Sequence, residues 1–212
     1  MKKKKVLITA GPTREYLDPV RYISNRSSGT LGYLLAEVAR DKGYAVTLIS
    51  GPTALHKPHG ITYVPIVSAR DLEKEVTHHF KSADALFMTS AVCDYRPKTS
   101  ANQKIKRKDA LSLTLIPNTD ILAKVATRKR NDQIVCGFCI ETKALYTHAR
   151  QKLCAKNLDF IVATKLVKDN DPFGGNTMAP LVLSRSGDKK QYAAMTKKRL
   201  AKELFTLIEK GM

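Results

Sequence analysis

The run Val6-Leu7-Ile8-Thr9-Ala10, broken by Gly11-Pro12 and answered by Ala45-Val46-Thr47-Leu48-Ile49, decides the fold because of what lies between the two. Each run is short, apolar and closed by a Gly-Pro pair, which reads as a buried strand. Across residues 28–42, Leu31, Leu34, Leu35, Val38 and Ala39 recur at the i, i+3, i+4, i+7, i+8 spacing of a core-facing helix, and Gly43 is placed to end it. Strand, helix, strand at this spacing is the crossover unit of a parallel sheet.

The same alternation extends along the chain. Ser68-Ala69-Arg70-Asp71 reads as the capped start of a helix carrying Leu72, Val76 and Phe80. Residues 83–89, 113–116, 134–140 and 159–163 read as further strands, with Asn118 and Thr142 as N-caps of helices running to about Arg128 and Lys156. Leu181-Val182-Leu183 and Gln191-Tyr192-Ala193 flank Ser186-Gly187-Asp188 as a hairpin, and a last helix carries Leu200, Leu204, Leu207 and Ile208. The pattern predicts an α/β fold: a single Rossmann-like doubly wound domain over residues 1–212, its sheet mainly parallel with helices on both faces. Residues 92–110 lack the pattern and hold Pro97 and Lys104-Ile105-Lys106-Arg107-Lys108. A loop this long inside a domain reads as a mobile basic flap, over about residues 95–110.

Composition narrows the function. Among 212 residues, 37 Lys and Arg face 19 Asp and Glu, a net charge of +18 that draws in nucleic acid, acidic membrane or phosphorylated small molecules. Aromatic residues make up only 7% and Trp is absent, so platforms for stacking bases are few. No apolar run is long enough to span a bilayer. Val6-Leu7-Ile8 after the lysines at the start is too short for a signal peptide, which points to a cytoplasmic protein. Cys136-Gly137-Phe138-Cys139 has CxxC spacing, but on a strand these two side chains point to opposite faces and read as buried thiols. Neither the cysteines nor the histidines form a zinc grip.

In open α/β sheets, ligands bind beyond the carboxyl ends of the strands. The first strand delivers Thr9-Ala10-Gly11-Pro12-Thr13 there, and Ser24-Asn25-Arg26-Ser27-Ser28-Gly29-Thr30-Leu31-Gly32 opens the helix that follows. Small residues at a helix N-terminus leave backbone N–H groups free for an anion, although an ordinary capped helix reads the same way. There is no Walker A sequence and no strict GxGxxG.

These segments, with the rest of the chain, resemble phosphopantothenate–cysteine ligase of coenzyme A biosynthesis. The resemblance runs through Thr9-Ala10-Gly11-Pro12-Thr13-Arg14-Glu15 and Asp18-Pro19-Val20-Arg21-Tyr22-Ile23-Ser24-Asn25-Arg26-Ser27-Ser28-Gly29. It continues through Ala91-Val92-Cys93-Asp94-Tyr95-Arg96-Pro97, Lys104-Ile105-Lys106-Arg107 and Asn118-Thr119-Asp120-Ile121-Leu122. It ends with Gly137-Phe138-Cys139-Ile140-Glu141-Thr142 and Ala149-Arg150-Gln151-Lys152-Leu153, so it spans nearly the whole chain in order. The resemblance implies the bacterial type of enzyme. The carboxylate of 4′-phosphopantothenate attacks the α-phosphate of CTP and releases pyrophosphate; the amine of L-cysteine then displaces CMP from the acyl-cytidylate. It further implies Mg2+, a homodimer, and no membrane or nucleic-acid partner. It also implies a stand-alone ligase without flavin, since relatives carry a flavin-dependent decarboxylase ahead of this domain.

By the same resemblance, Asn25 and Arg21 hold phosphopantothenate and manage the intermediate, with the Asn25 amide donating to the reacting acyl oxygen. Lys104 opens a flap over the nucleotide, here Lys-Ile-Lys-Arg where Lys-x-Lys-Lys is common. Gly11, Ser28 and Gly29 fit a phosphate cradle, and Asp94, Asn118, Thr119, Asp120, Ile121, Phe138, Lys152 and Lys156 fit the nucleotide site. Thr119 replaces a usual Pro, Thr164 a common Asn, and Phe173-Gly174-Gly175-Asn176 keeps the pattern only in part. Metal ligands stay unassigned. Read without the resemblance, Asn25 is a capping side chain, Phe138 core, and Lys152 and Lys156 an exposed pair on one helix face. A basic nucleic-acid-binding module and a nicotinamide-dependent reductase are the alternative functions.

Overall fold

Nineteen elements follow one another in the computed structural model, which describes residues 3–107, 109–167, 171–173 and 175–210. Lys108 of the expected flap and Gly174 of the Phe173-Asn176 stretch lie outside the described residues. The first half holds β1 (Lys5–Ala10), β2 (Arg14–Tyr16), β3 (Tyr22–Ser24), α1 (Thr30–Asp41), β4 (Ala45–Ser50), β5 (Thr62–Pro65), α2 (Ala69–Phe80), β6 (Ala85–Met88) and β7 (Tyr95–Pro97). Then come β8 (Leu115–Pro117), α3 (Ile121–Ala126), β9 (Ile134–Glu141), α4 (Leu145–Ala155) and β10 (Phe160–Lys165). The chain closes with β11 (Thr177–Met178), β12 (Leu181–Ser184), β13 (Lys189–Gln191), β14 (Met195–Thr196) and α5 (Lys197–Glu209).

Eight strands form one sheet in the order β13-β12-β10-β9-β6-β1-β4-β5. The six from β10 to β5 are parallel, with Val6 opposite both Val46 and Ala85, while β12 and β13 add an antiparallel hairpin at one edge. Counted among the parallel strands alone, the order is that of a dinucleotide-binding sheet, and its direction reverses between β1 and β6. Side chains alternate along β1: Val6 and Ile8 pack with α1 and α5 on one face, Leu7 with α2, α3 and α4 on the other. Cys136 and Cys139 fall on these opposite faces as free thiols, the second only half-buried. Across the first face, Phe87 of β6 stacks on Phe205 of α5 with ring centroids 5.6 Å apart. Among the described residues, no helix is long and apolar enough to cross a membrane.

The structure corrects several local expectations. Residues 113–116 do not add a strand to the main sheet. Instead β8 pairs antiparallel with β7, and Leu113 and Leu115 stay exposed. The strand missing from that count is β5, a half-exposed edge strand whose polar Thr62 and terminal Pro65 hide the pattern. The N-cap of α3 is Asp120, whose side chain accepts from Ala123 N at 3.0 Å, and not Asn118; the helix stops at Ala126. Nor does Thr142 cap α4. β9 runs on through Glu141, and α4 starts after Ala144 in a left-handed conformation. The buried line of α1 runs through Gly32, Leu35, Ala36 and Ala39, with Leu31, Leu34 and Val38 packed at its margin. The capping box of α2 forms as expected between Ser68 and Asp71.

Candidate active site

The carboxyl ends of β1 and β6 are stitched together beyond the sheet. Ser90 N donates to Thr9 Oγ1 (3.1 Å), Ala91 N to the Gly11 carbonyl (3.0 Å), Thr13 N back to the Ala91 carbonyl (3.3 Å) and Cys93 N to Thr13 Oγ1 (3.0 Å). Thr89 Oγ1 donates to the Thr9 carbonyl by a short bond. Thr9 and Thr13 are fully buried, so these hydroxyls serve the backbone and not solvent. The result is a fixed floor at the point where the strand order reverses, the usual place for a ligand in such a sheet.

Glycines let α1 close onto that floor. Gly29 is its N-cap at φ 78°, with no side-chain cap bond. A Cβ on Gly29 would meet Thr53 Cγ2 at 2.9 Å and Gly11 N at 3.1 Å; one on Gly32 would lie 2.6 Å from both Ala10 Cβ and Thr89 Oγ1. Gly29 and Gly32 thus have the spacing, and do the work, of the second and third glycines of a dinucleotide fingerprint, with Ser27 where the first would stand. Without a capping side chain, the first N–H groups of α1 face the crevice, and the helix dipole favours an anion there.

A cavity of about 570 Å³ opens over this floor. Asn25, Ser28, Gly29, Asp94, Asn118, Thr119, Asp120, Ile121, Phe138, Lys152 and Lys156, all anticipated from the sequence, line it. Asn118 Nδ2 donates to the Cys93 carbonyl (2.8 Å) and its Oδ1 accepts from Arg96 (2.9 Å), which ties the start of α3 to the loop after β6. Phe138 lines the cavity while also packing on the core of the α1 face, so both of its readings hold. Lys156 pairs with Asp120 at 2.8 Å. Lys152 pairs with Glu141 at 2.6 Å, and His148 Nδ1 lies 2.9 Å from the same carboxylate. Burial is the largest influence and works against the Lys152 charge, but the Glu141 hydrogen bond and the nearby Cys139, Glu141 and Asp94 together outweigh it and raise its pKa, so the ammonium stays charged. Burial pushes the Cys139 thiol up to about 11, which leaves it protonated and poor as a nucleophile.

Asn25 departs from the donor role expected of it. Its Nδ2 donates to the carbonyls of Ala91 (3.2 Å) and Val92 (3.0 Å). Both partners only accept, which fixes the amide orientation and engages both N–H bonds. The atom left for a ligand is Oδ1, an acceptor.

Gly11, Arg21 and Lys104 do not line the cavity. Gly11 sits behind Gly29 as backbone support. The Arg21 guanidinium donates to Asp18 through Nε (3.0 Å) and Nη2 (2.5 Å), and from Nη2 to the Ile105 carbonyl (2.8 Å), while Ile105 N donates to Asp18 (3.1 Å). Asp18 thereby holds the residues around Lys104 against the turn between β2 and β3. Ala101 N adds a bond to the Leu17 carbonyl (2.9 Å). Hydrogen bonds thus tie Ala101 and Ile105 of the expected flap to that turn, and its first part is strand β7. Sequence reading missed Thr89, Ser90 and Lys197, which also line the cavity, and placed Thr30 and Gly32 there only as part of the segment that opens the helix. The strand end at residue 89 was signal enough for the first two. Among the described residues, no group of three or more His, Cys, Asp or Glu side chains is placed to hold a metal.

Comparisons with known proteins agree with this geometry. The model of the DNA/pantothenate metabolism flavoprotein C-terminal domain matches residues 1–212. The chain is 40% identical over 204 residues to the coenzyme A biosynthesis bifunctional protein CoaBC of Bacillus subtilis, covering 95% of this chain and 50% of the relative. It is 39% identical over 193 residues to that of Escherichia coli K12, covering 89% and 48%. The chain thus spans about half the length of the curated relatives it matches. The crystal structure of a CoaBC C-terminal domain superposes with a TM-score of 0.84 at 37% identity, covering 99% of this chain and 96% of that one. The DNA/pantothenate metabolism flavoprotein from Streptococcus pneumoniae shares the fold at a TM-score of 0.82 and 24% identity, covering 100% of both chains. With a Rossmann-like sheet, a glycine-built crevice and a match along its whole length, this chain belongs to the family of the DNA/pantothenate metabolism flavoprotein C-terminal domain.

Proposed function

We propose that this chain is a phosphopantothenate–cysteine ligase acting in coenzyme A biosynthesis, a single ligase domain of the CTP-dependent bacterial type. The observation that carries the reading is the crevice at the sheet's reversal point. It joins an uncapped helix N-terminus, Lys152 and Lys156 in one cavity, in a chain 37% identical to a CoaBC C-terminal domain across its whole length. Such a cavity suits two phosphorylated anions better than a nicotinamide or a polynucleotide.

In this reading the carboxylate of 4′-phosphopantothenate attacks the α-phosphate of CTP, the bond to the β-phosphate breaks and pyrophosphate leaves. The amine of L-cysteine then attacks the acyl carbon, CMP leaves with the bonding pair, and the amine loses its proton. The N–H groups opening α1 hold phosphate. Lys152 and Lys156 neutralise the nucleotide, and Asn25 Oδ1 accepts from the incoming amine. Mg2+ would be held chiefly by the triphosphate, with the Asp94 carboxylate at the cavity edge as the protein ligand, which fits the ion's habit of taking one or two carboxylates plus phosphates. It supplies charge neutralisation. No flavin role is assigned to this domain. Arg21 and Lys104 reach the reaction only if the arm made of β2–β3 and β7–β8, which holds them, moves or a second copy of the chain presents it. The homodimer reading draws support from exposed Tyr16, Val20, Tyr22 and Tyr95 on that arm. A cytoplasmic site of action goes with the reading.

The test is pyrophosphate release with 4′-phosphopantothenate, cysteine and Mg2+, comparing CTP with ATP. Release with CTP that depends on phosphopantothenate is expected. Preference for ATP overturns the nucleotide, and no release with either, from folded protein, overturns the ligase.

A further inference from the structure

Lys197 is the first residue of α5 and is only 4% exposed, yet it forms part of the cavity wall. Its backbone N donates to the Asn176 carbonyl at 2.8 Å, which places it at the junction of β14 and α5. Lys152 and Lys156 each have a carboxylate within 2.8 Å; Lys197 has no ion-pair partner among the described residues. The acid whose field reaches it is Asp171. That carboxylate is already engaged, accepting from Phe173 N (2.9 Å) and pairing with Arg26 (3.4 Å). Burial lowers the Lys197 pKa, and Asp171 only partly offsets it.

A shielded ammonium without a counter-charge is costly to maintain, and folds retain one where a ligand completes it. The segment that flanks Lys197 also touches the start of α1, because Ser28 Oγ donates to the Phe173 carbonyl at 2.8 Å. Two unsatisfied positive features, the uncapped helix and the buried lysine, therefore border one cavity.

We propose that Lys197 is a further anion-binding residue of this site, which together with the N-terminus of α1 takes a phosphate group of a substrate. The inference rests on the ligase reading for the identity of that substrate, which is either the triphosphate of CTP or the monophosphate of 4′-phosphopantothenate.

Calorimetric titration of Lys197→Met with each ligand separately tests it. The affinity for one of the two falls at least tenfold, the other changes less, and Lys197→Arg recovers part of the loss. The thermal midpoint of Lys197→Met stays level or rises, since an apolar chain of similar volume replaces a buried charge. Both affinities within twofold of wild type overturn the proposal, as does a wild-type protein that binds neither ligand. Should Lys197→Met fail to fold, the side-chain NMR signals of Lys197 in wild type decide: they shift on adding pyrophosphate or phosphopantothenate, and no shift with either overturns it. Lys197-dependent binding by a protein that makes no amide overturns the ligase reading alone. Amide formation undiminished in Lys197→Met overturns the anion site alone.

Discussion

The cavity floor and the arm made of β2–β3 and β7–β8 sit side by side but are held in opposite ways. The floor is closed by backbone bonds and buried threonine hydroxyls, with glycines where no Cβ fits. The arm carries exposed Tyr16, Val20, Tyr22, Tyr95, Leu113 and Leu115, and one shielded carboxylate, Asp18, gathers its turn and the Lys104 segment. Displacing the floor means disturbing the sheet, whereas within the arm the contact between the β2–β3 turn and the Lys104 segment is centred on one side chain, Asp18. On the proposed ligase reading, the floor serves fixed binding of phosphate and the arm would have to bring Arg21 and Lys104 in from outside the cavity.

The strongest way to break this contrast is at the floor. In Gly32→Val, the new Cβ meets Ala10 and Thr89 at 2.6 Å, so α1 has to lift from β1. Overpacking of this kind costs about 1–3 kcal/mol of stability, a melting-point drop of roughly 2–4 °C for each kcal/mol. Binding of CTP measured by calorimetry falls by about a hundredfold or more as the phosphate cradle opens, on the order of 3 kcal/mol. Unchanged CTP binding would show that the cradle is not where the nucleotide lies. A smaller change follows for Asn25→Ala, which leaves the sheet intact. It still releases pyrophosphate from CTP, but amide formation followed by mass spectrometry drops about a hundredfold, roughly 3 kcal/mol of lost transition-state stabilisation. Equal loss of both steps with unchanged melting would remove Asn25 from the second step.

How legible each region was follows from the same contrast. β1, β4, β6, β9 and β10 are buried on both faces, so they stand out as continuous apolar runs in the sequence. In the arm, the alternating Leu111, Leu113 and Leu115 look like a half-buried strand, yet they are 51%, 44% and 42% exposed. Periodicity reports that a face is apolar and not what covers it. Asn118 and Asp120 are both good cap residues two positions apart, and only tertiary contacts send the first to Cys93 and Arg96. Lys152 and Lys156 share a helix face by spacing alone. Asn25 was reached through resemblance, and its amide orientation depends on carbonyls 66 and 67 residues away. Lys197 was invisible because its burial arises from the pairing of β11 with β14 and the approach of Asn176.

Asp18→Asn tests whether one carboxylate holds the arm. Asp18 accepts from Val20 N, Arg21 N, the Arg21 guanidinium and Ile105 N. The Arg21 guanidinium beside it holds its carboxyl well below the usual carboxylate range, helped by the backbone N–H groups. A depressed folded-state pKa contributes stability that is complete above the unfolded value of about 3.9 and is lost as pH falls below it toward the folded value. The variant therefore melts below wild type at pH 7, and the gap narrows in scans below about pH 4. The KM for CTP changes as the Lys104 segment loses its anchor. A gap that persists at low pH would mean that the amide substitution disturbs packing and that the charge is not what pins the arm.

The smallest effect belongs to Lys104→Ala, and it sharpens the contrast most directly. Lys104 does not line the cavity, and its neighbour Ile105 is held by Asp18 and Arg21. If the arm delivers this lysine to bound nucleotide, the variant loses one charge-assisted contact, about 1.5 kcal/mol or roughly tenfold in the KM for CTP. The floor is untouched, so phosphopantothenate binding and melting temperature stay level. The reverse ordering, with phosphopantothenate weakened and CTP unaffected, would put Lys104 over the other substrate. No change in either would leave the arm's basic run as a solvated surface, because a cation that never approaches the phosphates contributes little through screened solvent.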